Sequence, residues 1–341
     1  HEVDVFDAPV DKMMYHNIDK IVVIILAIVF LAAFFLLGYV KETVKDNSLS
    51  NIIFWCFCIG LGLVYFYCLY TPNVYTADFN LYHNNAYYNS VFSALRGVPR
   101  SELNSSVYGY YGILVAPFML ILGGTTRAFY IVMGSFSFAA LLGMDYVAYK
   151  LINNKIIRYL VVMAYVIVVT SMHWSVYLQL IPHRIIFPSL LTAYVVYIYT
   201  NNKQSLLYET LGYVICGLSI IWNFETGIVC LFAYCCYFGL AMLRRYRLTQ
   251  LRLYLKILIR ALLAVITFAG AFLFTGFVNI CMGGYRLSIR EFLFPMFNSS
   301  YMTGYLTVDY QHGVVAWLFV AGMAFMLILY GLSRTTLNPL Y

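Results

Sequence analysis

Long apolar runs separated by short polar connections make up most of this chain. Runs at about residues 20–39, 51–70, 125–149, 156–172, 186–200, 206–223, 226–243, 257–280 and 313–333 are nearly continuous in hydrophobic residues, and roughly 20 such residues in a helix cross a hydrocarbon core. They are too long for the alternating, roughly ten-residue strands of an outer-membrane barrel. The pattern predicts an all-α polytopic membrane protein in which residues 1–341 form a single transmembrane domain. The chain begins at His1 and stops soon after a basic turn, so both ends read as cut from something longer and the number of spans as a lower bound.

The polar positions set the expected topology. Lys and Arg concentrate beside cytoplasmic helix ends. Lys41 and Lys45, then Lys150, Lys155 and Arg158, then Lys203, then the series from Arg244 to Arg260, then Arg334 are all assigned to that side. The acidic start (Glu2, Asp4, Asp7, Asp11), loop 71–107, the turn 173–185, the turn from Asn223 to Gly227 and loop 281–312 then face outward together. A shorter apolar piece at 108–124 breaks the alternation, because a full crossing there would force the 150–158 cluster outward. Gly109, Gly112, Pro117, Gly123 and Gly124 fall within it, which predicts a re-entrant or broken helix. Asp145, near Lys150, reads as an inner-end charge pair.

Two of the outer connections carry structure of their own. Loop 71–107 predicts an interfacial helix with Leu81, Tyr88, Val91, Phe92 and Leu95 on one face, bordered by Asp78, Asn85 and Asn89, and stopped by Gly97-Val-Pro99. Loop 281–312, with Gly283-Gly284, Pro295 and Gly304 among aromatics, predicts a second, partly irregular interfacial element.

Composition agrees with the pattern. The hydrophobic fraction is 63%, the charged fraction 10% and the mean hydropathy +0.80, against about a quarter charged residues in a soluble domain. The net charge of +7 sits in connections where it sets topology, so nucleic-acid binding is not indicated. The eight cysteines lie in or beside apolar spans without metal-ligand spacing and read as small buried hydrophobes. There is no His-x-x-x-His or Cys-x-x-Cys spacing for zinc. Nor is there a Gly-x-Gly-x-x-Gly or Gly-Lys-Ser/Thr phosphate loop, which argues against a nucleotide substrate.

Candidate chemistry comes from the few polar residues assigned outside. Asp78 opens the interfacial helix, where it can be an N-cap or a general base. Glu225, in a turn between two apolar runs with no cation near it in sequence, can bind sugar hydroxyls, hold a divalent metal with Asp78, or bond a tight turn. Arg184, after Pro182-His183, offers a guanidinium fork for phosphate oxygens, or a snorkelling anchor for ordinary headgroups. Arg286 and Arg290, four apart before Glu291, read as one helix face able to share that phosphate, or as solvated charge. His83, Tyr88, His183, Trp174 and Gln179 are candidates to contact a sugar or acceptor, with Tyr belting the interface as the plainer reading for the 33 tyrosines.

An aspartate in the loop after an early span, the Asp-x-x-x-x-His-x-x-Ala-Tyr pattern from Asp78 to Tyr87, and the Tyr-rich, Pro-containing piece 110–117 resemble the GT-C superfamily of integral-membrane glycosyltransferases. The resemblance covers the general architecture and about residues 71–130. It implies a GT-C-like helical bundle with interfacial helices in its outer loops, and a membrane lipid carrier, a polyprenyl-phosphate-linked sugar, as donor. It also implies a glycan, lipid or cell-wall polymer as acceptor, inversion at the anomeric carbon, and Asp78 as the catalytic loop carboxylate. The expected setting is a bacterial plasma membrane with the site facing outside. Two other classes fit the same residues: a secondary transporter or lipid-linked oligosaccharide flippase, disfavoured by an apparent lack of mid-span charges, and a polysaccharide polymerase or ligase.

Overall fold

The computed structural model describes residues 48–70, 79–99, 109–171, 179–203, 205–246 and 249–293. Every regular element among them is helical: α1 (Ser48–Tyr70), α2 (Phe79–Leu95), α3 (Tyr111–Ile121), α4 (Thr126–Leu151), α5 (Lys155–Ser171), α6 (Ile186–Thr200), α7 (Leu206–Trp222), α8 (Phe224–Arg245), α9 (Leu251–Cys281) and the single turn α10 (Ile289–Phe292). A broken turn at Gln179–Arg184 precedes α6. Four segments, Ser48–Phe66, Thr126–Leu151, Phe224–Leu243 and Leu251–Cys281, are long and apolar enough to cross a membrane. The chain is therefore an α-helical membrane protein. The expected spans at 20–39 and 313–333 lie outside the described residues.

The bundle is organised around α4, which packs against α1, α3, α5, α6 and the broken turn. Half of its most apolar stretch is buried, whereas α9 presents Leu262, Val265, Leu273 and Phe277 outward. Apolar side chains on an exposed helix face are what hydrocarbon solvation requires. Small residues also stand where these helices meet: the backbone of Ser189 on α6 lies 3.4 Å from where a Cβ on Gly143 of α4 would stand, an ordinary packing distance.

The short piece after loop 71–107 is helical only over Tyr111–Ile121. At 1.5 Å per residue that is ~16 Å, too short to cross a ~30 Å core alone. Two glycines at its start are needed for different reasons. Gly109 has φ +121°, and a side chain there would meet the Trp222 carbonyl oxygen at 3.0 Å. Gly112 faces the Ser90 backbone so closely that a Cβ would stand 2.2 Å from its carbonyl oxygen, which is how α3 lies directly on α2.

α2 ends where the sequence predicts, with Gly97 at φ +70° and the Val98 amide donating to the Ser93 carbonyl at 2.9 Å. Its apolar face is turned into the bundle. Tyr87 and Val91 are fully buried in the core, and Tyr88, Phe92 and Leu95 pack against the same cluster. Tyr111 fastens α3 to it by donating its hydroxyl to the Tyr87 carbonyl at 2.8 Å.

α9 begins at Leu251 rather than near 257 and so takes Arg252 and Lys256 into the helix along with Arg260. Lys and Arg are good helix formers whose stems lie along apolar surface. Arg260 turns inward and meets Glu209 of α7 at 2.8 Å, although its run of basic neighbours reads as a solvated connection. Cys58, Cys216 and Cys230 are buried, whereas Cys56, Cys236 and Cys281 are exposed, and all six are free thiols.

Candidate functional site

The junction of α7 and α8 is a tight corner. Asn223 adopts an extended backbone (φ −143°, ψ 111°), and its side-chain oxygen accepts from the Thr226 amide at 3.3 Å, capping α8. Trp222, just before it, is 1% exposed. Its indole N–H donates to the His183 carbonyl at 3.1 Å, which ties the broken turn to this corner. The Tyr110 amide donates to the Ile221 carbonyl at 2.7 Å, adding the start of α3.

His183 closes the centre of this assembly. Its ring stacks on Tyr87 at 4.8 Å and meets Tyr111 edge-on at 4.3 Å and Trp222 at 5.4 Å. It is completely buried, so the sugar contact expected of it gives way to aromatic packing. The turn also reaches deeper than an outer connection would. Ile181 is buried against Leu141, part-way along α4, and Tyr65 of α1. The non-helical backbone at Ile181 (φ −125°, ψ 124°) turns this apolar side chain into that core.

With the corner fixed, Arg184 and Glu225 face each other. Their closest nitrogen and oxygen are 3.8 Å apart, and the two side chains are 43% and 39% exposed. They stand over a groove of about 410 Å³ between α6 and α8, floored by Pro188, Leu191, Val229, Cys230 and Ala233, with Thr192 and Thr226 as its other polar members. The spacings 188, 191, 192 and 226, 229, 230, 233 each follow one helix face. Both hydroxyls donate to backbone, Thr192 to Pro188 at 2.7 Å and Thr226 to Asn223 at 3.3 Å. Each keeps lone pairs free to accept. Glu225 sits in the first turn of α8, where the helix dipole favours an anion.

The other expected site residues separate into distinct places. Asp78 and Trp174 lie outside the described residues, as do the side chains of His83 and Gln179. Tyr88 shares a hydroxyl–hydroxyl hydrogen bond with Tyr130 of α4 and does not line the groove. Arg286 and Arg290 do not share a helix face, because helix forms only over Ile289–Phe292 and leaves Arg286 in the extended stretch before it. Both are exposed. Glu291 turns instead to a capping box, accepting from the Ser288 amide at 2.6 Å and the Tyr285 hydroxyl at 2.7 Å. These bonds, the backbone one first, hold its carboxyl below the usual range.

Two features were not read from the sequence. Asp145 does not pair with Lys150, whose ammonium lies 5.8 Å from the Tyr146 and Tyr149 ring centres. The carboxyl is instead 2% exposed within the bundle, beside the Cys58 thiol of α1. Its position six residues inside the end of a 26-residue apolar helix was the available signal. The Arg184–Glu225 contact had none, since 41 residues separate them. Among the described residues, no three His, Cys, Asp or Glu side chains are grouped to hold a metal ion, and Glu225 is the groove's one carboxylate.

No family model matches the chain, and no curated protein or solved structure matches it either.

Proposed function

We propose that the chain is a GT-C-like membrane glycosyltransferase, moving a sugar from a polyprenyl-phosphate donor to a glycan, lipid or cell-wall polymer acceptor at the outer leaflet. The observation that carries the reading is the groove, with a guanidinium and a carboxylate side by side over an apolar floor between α6 and α8. A lipid-borne phosphate ester has that same division, with an isoprenoid chain for the floor and an anion for Arg184. In the reaction, the bond from the anomeric carbon to the phosphate oxygen breaks with its electron pair going to the phosphate. The acceptor oxygen bonds that carbon from the opposite face, and its proton passes to a carboxylate. Asp78 takes this role by resemblance and Glu225 by position. The exposed Arg286 and Arg290 are cations available to an incoming headgroup, and a divalent cation is a candidate partner for the two carboxylates.

Binding of farnesyl phosphate and of farnesol to the 341-residue chain in nanodiscs tests the headgroup assignment. Arg184→Ala should weaken the phosphate and leave the alcohol unchanged. Equal affinity of the wild type for both probes would overturn the reading.

The broken turn inside the bundle and the buried Asp145 favour a second reading, a secondary transporter, since transporters place interrupted helices and charges in the interior. Saturable solute uptake into proteoliposomes without any glycosidic product would decide for it.

A further inference from the structure

We propose that Asp145 is an intramembrane proton-binding site, holding one exchangeable proton where α1, α4, α5 and α6 converge beside the broken turn. This rests on neither functional reading above. The carboxyl is almost entirely enclosed, and its Oδ1 has no hydrogen-bond partner among the described residues. No described Lys, Arg or His makes an ion pair with it. A bare carboxylate in such a place is unfavourable by several kcal/mol, whereas the neutral acid is tolerated.

The surroundings suit a proton rather than a metal. From α1, the Cys58 thiol lies beside the carboxyl. From α5, Tyr165 faces it electrostatically, and its hydroxyl lies 3.4 Å from that of Ser189 on α6, which carries no charge. Arg158, further along α5, is committed to the Ile152 carbonyl at 2.9 Å and to the faces of Tyr149 and Phe54. On α4 itself Lys150 lies over aromatic rings. Tyr65 of α1 packs on Leu141, Tyr88 of α2 is bonded to Tyr130 near the start of α4, and Tyr111 from α3 and His183 and Arg184 from the broken turn stand in the corner described above. One soft thiol and one carboxylate make too few ligands for a cation.

The position gives the proton something to act on. Leu141, one helical turn from Asp145, packs directly against Ile181, two residues from His183 and three from Arg184. Ionising Asp145 requires water or a cation to enter between α1 and α4. That entry loosens the packing that seats the broken turn.

Infrared difference spectra of the chain in nanodiscs, wild type against Asp145→Asn, test this. The wild type at pH 7 should show the C=O stretch of a protonated carboxylic acid that the variant lacks. The band should shift in D2O and vanish reversibly on alkaline titration. No such difference at pH 7, or a band that neither exchanges nor titrates, would overturn the proposal. If Asp145→Asn does not fold, Cys58→Ala decides. Removing the adjacent thiol should shift the acid band, and an unmoved band refutes the site.

Discussion

The Arg184–Glu225 pair makes its contribution to folding and its contribution to ligand binding separable. At 3.8 Å, two unit charges attract by ~4 kcal/mol at an effective dielectric of 20 and by ~1 kcal/mol in water. With about two-fifths of each side chain exposed, the lower figure governs, and the ordering of two long side chains reduces it to about 0–1 kcal/mol. Neutralising either partner should therefore lower stability by no more than about 1 kcal/mol, with the dipole of α8 adding a few tenths for Glu225. Losing a charge-assisted bond to a bound phosphate is worth about 1.5–3 kcal/mol, or roughly 10- to 150-fold in Kd. Arg184→Gln should thus bind farnesyl phosphate ten-fold or more weakly while its thermal midpoint in detergent barely moves. Glu225→Gln should act in the opposite direction on binding: with its competitor removed, the guanidinium binds the phosphate up to about five-fold more tightly, while transfer activity falls. Calorimetric titration in nanodiscs beside thermal unfolding reads both quantities. Weaker phosphate binding by Glu225→Gln, or a stability loss in Arg184→Gln that matches its binding loss, would refute this account.

Three further outcomes follow from the packing. Trp222→Ala removes a buried indole and its bond to the His183 carbonyl. It should reduce stability by about 3–5 kcal/mol and free the broken turn, read as faster hydrogen exchange in peptides covering 179–184. Arg260→Met leaves the Glu209 carboxylate, whose side chain is 10% exposed, without its partner and should cost about 3–5 kcal/mol. Glu209→Leu/Arg260→Met should recover most of that in thermal unfolding, and a double variant worse than the single would contradict the pairing. The Glu291 carboxyl titrates below its ordinary value because the Ser288 amide and the Tyr285 hydroxyl bond its ionised form. The capping box is therefore stabilised above the unfolded pKa of ~4.3 and loses that support as pH falls through the lower folded value. Hydrogen exchange over 284–293, corrected for intrinsic rates, should show protection at pH 7 lost toward pH 3 in the wild type, and a flattened dependence in Glu291→Gln.

The membrane character and most helices are legible in the chain because the signal is local. An apolar run must satisfy its backbone internally once water is absent, so 186–200 becomes Ile186–Thr200 and 206–223 becomes Leu206–Trp222 with hardly an adjustment. Where a run misleads, charge is the cause. Basic residues read as a connection were the first turns of α9, and an acid read as an inner-end charge pair with Lys150 was enclosed in the bundle without it. The stop of α2 at Gly97 was equally local, a left-handed residue that only glycine adopts without strain.

The sequence by itself determined that this is a helical membrane protein, where most of its helices lie, and that Arg184 and Glu225 are worth watching, because hydropathy and residue type act over a few turns of chain. Tertiary structure alone decided that those two meet over an apolar groove, that His183 packs among aromatics instead of facing a ligand, and that Asp145 lies inside the bundle. Each depends on which helix faces which, and that is set by small-residue contacts and buried bonds between segments dozens of residues apart, such as Trp222 to His183 and Gly112 to Ser90.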